Sequence, residues 1–110
     1  MSITMHLYYT GRHGSARQFA EEMERSNTAD RIQAQAGNEQ YEYFFSMSEP
    51  ETVLLIDRWT DQKALDLHHA SPMMQTIGAL REKYDLHMRA ERYVSDQKGI
   101  PASDDPFIRK

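Results

Sequence analysis

Eight residues in the middle of the chain, Thr52 to Trp59, read Thr-Val-Leu-Leu-Ile-Asp-Arg-Trp, and their β-branched, apolar and aromatic side chains favour an extended strand. Pro50 stands just ahead of the run, where a strand needs no ladder donor. Thr60 and Asp61 follow with side-chain oxygens suited to an N-cap, and Ala64, Leu67, His68 and Ser71 recur at helical spacing. The segment stops at Ser71-Pro72, where a second helical run begins with Pro in its first turn. A buried strand feeding directly into a helix demands a layered fold, with other strands beside it and the helix folded back over one face.

The remaining sequence supplies those strands. Ile3 to Thr10 places Met5, Leu7 and Tyr9 on one face and Thr4, His6 and Tyr8 on the other, which predicts a strand covered on both sides. Gly11-Arg12-His13-Gly14 forms a turn, and Ser15-x-x-Gln18 is a capping box for a helix whose Ala16, Phe19, Ala20 and Met23 share a stripe. That helix ends near Ser26-Asn27-Thr28, and Arg31 to Ala36 reads as a short extended piece before Gly37. Tyr41 to Met47 is an aromatic strand, joined to the central strand through Ser48 to Glu51, a short link that favours antiparallel pairing. Met73, Ile77, Leu80 and Tyr84 continue one helical stripe, and His87 to Ser95 is the fourth strand. The order is α+β, a ferredoxin-like βαββαβ arrangement with an antiparallel four-stranded sheet over residues 1–96. Residues 97–110 read as a polar, turn-rich tail in which Phe107 and Ile108 could anchor on a partner subunit. The aromatic and apolar residues on the sheet's other face call for cover, and a symmetric homodimer supplies it.

Composition narrows the functional classes. There is no cysteine, which removes disulfides, thiolate catalysis and cysteine-based zinc sites. A net charge of -4 with scattered basic residues leaves no basic stripe for nucleic acid. No apolar run reaches the roughly 20 residues of a membrane span, and Met1-Ser2-Ile3-Thr4 lacks a basic leader, so a cytoplasmic protein is expected. The histidines never fall at His-x-x-x-His or Glu-x-x-His spacing, so no metal is expected.

An acid, one residue, Trp, a polar turn, Ala-x-x-x-His and Ser-Pro occur here as Asp57, Trp59, Ala64, His68, Ser71 and Pro72. This pattern resembles the antibiotic biosynthesis monooxygenase family, which includes the quinol monooxygenases, with Asp57 standing where that family usually has Glu. Gly37-x-x-x-Tyr41-Glu42 is similar to the start of the family's second strand, and the likeness covers roughly residues 3 to 96. The resemblance implies a dimeric α+β barrel of two sheets and a cofactor-independent monooxygenase that uses molecular oxygen on quinols or polycyclic phenols. A haem-degrading branch of the same fold would place Asn, Trp and His where this chain has Leu7, His68 and Gly78, so haem degradation is not expected. Alternatives on the same fold are an isomerase of a small signal molecule and a non-catalytic module that binds a small aromatic.

Each candidate residue has two readings. His68, at the edge of an apolar helical stripe, is a general base for a phenolic proton or a helix-end histidine bonded to a carbonyl. His69 lies about 100° further round the helix and should face solvent. Trp59 is a platform for a flat substrate or simply core. Tyr41 and Tyr43 share a strand face and could steady a phenolic oxygen, or pack a dimer. Leu7, Tyr9, Leu67, Met73 and Ile77 are the expected walls of the pocket. The Gly11 to Ser15 turn could hold an anion at a helix start, or use its glycines only for positive φ.

Overall fold

In the computed structural model, which describes residues 1–110, β3 (Thr52–Trp59) has the bounds its sequence predicts. Every second residue of it is buried, and Val53, Leu55, Asp57 and Trp59 form that inner row. Such a strand belongs in the middle of a sheet. It pairs antiparallel with β2 (Asn38–Phe45) on one side and β1 (Ile3–Thr10) on the other, and β1 pairs in turn with β4 (His87–Val94). The strand order β2-β3-β1-β4 and the interspersed helices make the α+β, ferredoxin-like arrangement.

Four helices lie on the inner face: α1 (Ser15–Arg25), α2 (Thr28–Gln33), α3 (Gln62–His69) and α4 (Met73–Lys83). Phe19 and Met23 of α1, Ile32 of α2, Leu65 of α3 and Ile77 and Leu80 of α4 pack on Ile3, Tyr9, Tyr41, Leu55 and Trp59 in one core. Asp61 caps α3 as its sequence predicts, accepting a 2.8 Å hydrogen bond from the Ala64 amide. Gly37 is required where it is: its φ is 84°, and a Cβ there would meet Ala64 Cβ at 2.5 Å. None of these helices is long and apolar enough to cross a membrane.

Three local expectations are corrected. Residues 31–36 are not extended: 31–33 end α2, which the full burial of Thr28, Ala29 and Ile32 holds in place, and 34–36 turn into β2. The capping box at Ser15 and Gln18 does not form: Gly14 is the N-cap of α1, and the Ser15 hydroxyl instead accepts from the Arg12 amide. The Gly14 N–H donates to Glu51 Oε1 at 2.9 Å, so an internal carboxylate already occupies the donor that an anion would use. The tail carries a 3-10 turn over Ala102–Phe107, and its Phe107 side chain is 86% exposed within this single chain.

Candidate active site

Two hollows compete for attention. The larger, about 480 Å³, lies on the helix-free face of the sheet among Tyr8, Phe44, Leu54 and Met88. The smaller, about 160 Å³, lies between sheet and helices, and the buried titratable groups converge on it. Buried groups with perturbed acidity are the better mark of chemistry than volume, so we place the candidate site in the smaller cavity.

Leu7 and Tyr9 of β1, Tyr41 of β2, His68 of α3 and Ile77 of α4 line this cavity, so five of the expected residues meet there. The other four do not. Trp59 is fully buried beneath His68 and stacks on its ring at 4.8 Å with planes 23° apart, so it is a platform for the histidine and not for a substrate. Tyr43 packs edge-on against Phe19 at 6.0 Å, behind Tyr41. Leu67 is 61% exposed, because the buried row of α3 is Ala64, Leu65 and His68. Met73 packs on the core, but the next residue, Met74, is the one that reaches the cavity.

The rest of the wall is Leu55 and Asp57 of β3, His69 of α3, Arg81 of α4, and Met74 and Met88, two methionines whose sequence reading is adaptable packing first and pocket lining second. Strict alternation along β3 places Leu55 and Asp57 on the same face as Trp59, and this was the signal available for them. His69 is exposed as expected, yet its ring sits 5.7 Å from that of His68 and edges the cavity, so the two histidines border one site after all.

The polar groups are held in a defined order. Gln35 Oε1 lies 2.7 Å from His68 Nδ1, and a carboxamide oxygen only accepts, so Nδ1 carries the proton and Nε2 is the free acceptor. Burial, with a further contribution from His69, lowers the His68 pKa to about 4, which keeps the ring neutral at pH 7. Asp57 is 3% exposed, and its Oδ1 accepts a hydrogen bond from the Trp59 indole N–H. Burial raises the Asp57 pKa to about 7, opposed only in part by that hydrogen bond. The phenols of Tyr41 and Tyr43 meet at 3.2 Å, and burial pushes both, and Tyr9, well above their ordinary range. They therefore act as hydrogen-bond donors at any ordinary pH. Arg81 is half-buried at the rim, with Nη1 3.1 Å from Met88 Sδ. The arrangement can bind a small ring with hydroxyl groups, exclude water from it, and accept a proton from it.

A family model for antibiotic biosynthesis monooxygenases matches residues 2–80. Among curated proteins none matches the chain. Several solved structures share the fold. SnoaB, a cofactor-independent oxygenase from Streptomyces nogalater, superposes with a TM-score of 0.72 at 19% identity, over 87% of this chain and 94% of its own. A conserved protein from Methanosarcina mazei gives 0.75 at 18% identity, over 87% and 94%. A candidate antibiotic biosynthesis monooxygenase from Deinococcus radiodurans gives 0.75 at 16%, over 88% and 94%.

Proposed function

The chain belongs to the antibiotic biosynthesis monooxygenase family, and on that footing we propose that it is a cofactor-independent monooxygenase of quinols and related phenols. The single observation that supports this most is the small cavity between sheet and helices in which a neutral imidazole, fixed in one tautomer by Gln35, stands beside buried phenol donors. His68 Nε2 accepts the substrate hydroxyl as the base of the site, and Tyr9 and Tyr41 donate to the oxygen that becomes anionic. The electron-rich anion itself reduces oxygen. A hydroxyarene or quinol with a free ring C–H ortho or para to a hydroxyl takes up one O₂ at that carbon and leaves as the quinone, or as the hydroxyquinone, plus one water, so no further reductant enters the balance.

A cavity of about 160 Å³ is close to the roughly 150 Å³ of an engineered cavity that takes benzene. This favours one- or two-ring phenols over polycyclic ones, for which the flexible Met74 and Met88 would have to move aside.

The proposed assembly is a homodimer through the helix-free face, where Tyr8, Phe44 and Leu54 border the larger hollow. Residues 97–110 act as an arm onto the partner subunit, with the exposed Phe107 as its anchor.

Oxygen consumption with a panel of reduced quinols and naphthols tests the reaction. Wild-type protein should consume oxygen above the spontaneous rate, and a folded His68→Ala variant should lose roughly 100-fold or more of it. No consumption across the panel would overturn the oxygenase reading, and an unchanged variant would remove His68 from it.

A further inference from the structure

The cavity holds a carboxyl group that the His68 reading leaves idle. Asp57 is buried on β3, flanked across the strands by Met5 and Tyr41. One of its oxygens, Oδ1, is tied to the Trp59 indole, whereas Oδ2 has no hydrogen-bond partner in the protein. Oδ2 is not sealed in either, since Arg17 Nε is the one buried side-chain polar atom without a partner, and the surface Asp57 presents is in the cavity wall. No salt bridge neutralises it. A structural carboxyl at this depth would have both oxygens satisfied, because an unpaired buried acceptor is costly. Here one oxygen is anchored and the other is left without a partner on a residue that lines the cavity.

We infer that Asp57 is a second catalytic group of this site: the hydroxyl proton of the bound phenol, drawn off toward His68 Nε2, comes to rest on the free Oδ2 of Asp57 while the anion reacts. The inference rests on the phenol-oxidising reading above. The step is a plain proton transfer, phenol and carboxylate going to phenolate and carboxylic acid, with the O–H bond broken at the substrate and re-formed at Oδ2. His68, neutral and locked through Gln35, is a good hydrogen-bond acceptor but a poor final holder of the proton, whereas a carboxyl titrating near neutrality suits that task. The groups that face Asp57 are Tyr41 from β2, Tyr9 from β1, Trp59 from β3, His68 and His69 from α3, and Arg81 from α4. Of these, Arg81 brings a guanidinium to the rim.

Trp59 is the chain's single tryptophan, so its indole N–H is a built-in reporter on the carboxyl that it touches. The indole ¹H–¹⁵N resonance, followed against pH in the absence of oxygen, should show a step near neutrality that disappears in Asp57→Asn, which retains an acceptor for Trp59. Addition of 1-naphthol should lower the pH of that step, because a hydroxyl donating to Oδ2 stabilises the charged form. A step that naphthol leaves in place would overturn the proposal, because the ligand would then be out of reach of the carboxyl. This readout needs no turnover, so it stands or falls apart from the oxygenase reading. With a substrate that is consumed, Asp57→Asn should lower kcat about 100-fold for a weakly acidic naphthol. It should cost little for a phenol already ionised at the assay pH. Equal losses for both substrates would mark Asp57 as merely structural.

Discussion

The two faces of the sheet are built from the same strands and do opposite things. Toward the helices, Tyr41, Leu55, Asp57 and Trp59 are almost wholly buried, and their polar atoms have named partners or open into a small cavity. On the other side Tyr8, Phe44 and Leu54 border a hollow three times as large, and Phe44 remains 38% exposed. The contrast teaches that size and chemistry separate here. The larger hollow is open surface with no buried titratable group, whereas in the smaller one burial shifts the acidity of Tyr41, Asp57 and His68.

The largest expected effect is on the inner face. Trp59→Ala removes a fully buried indole together with the support of both His68 and Asp57, and should cost about 3–5 kcal/mol in denaturant unfolding. A loss below about 1 kcal/mol would break the contrast, because the inner face would then be no better packed than the outer.

The second expectation concerns pH. His68 has its pKa lowered from 6.5 to about 4, so its contribution to stability is present above the unfolded value and is lost as pH falls from 6.5 toward 4. Asp57 has its pKa raised from 3.8 to about 7, so its contribution is present below 3.8 and is lost as pH rises from there through 7. The two slopes oppose each other over one window, and their sum should be nearly flat between pH 4 and 6.5. Asp57→Asn should expose the His68 slope, with stability rising by roughly 3 kcal/mol across that window. His68→Gln should expose the reverse slope. Unfolding midpoints measured at intervals of pH check both, and parallel profiles for the two variants would defeat the account.

Smaller effects sharpen the same comparison. Asp61→Ala removes the N-cap that starts α3 and should cost about 1 kcal/mol, read from the thermal midpoint. Phe44→Ser, on the outer face, should leave the unfolding free energy of the single chain within about 0.5 kcal/mol. The same variant should weaken self-association in sedimentation, and unchanged association would remove this face from the dimer.

How much was legible in the sequence depends on how local the cause is. β3 was readable to the residue because its composition, the proline ahead of it and the Asp61 cap all act within a few positions. By contrast, α2 was missed because its helicity depends on burying Thr28, Ala29 and Ile32 under neighbours distant in the chain. His68 was found from its helical spacing and its place in a motif. Leu67 was misassigned because the same spacing does not say which side of α3 meets the sheet.

By itself, then, the sequence determined the order of the four strands and of α1, α3 and α4, the alternating row of β3 and the family pattern from Asp57 to Pro72, since periodicity and capping are properties of neighbouring residues. Only the tertiary structure decided that Gln35 fixes the His68 tautomer, that Trp59 supports the imidazole, and that Asp57 is buried with one oxygen free. Those features arise from desolvation and from contacts across strands and helices. Acidity in a cavity depends on which groups exclude water together, and no single stretch of chain holds that information.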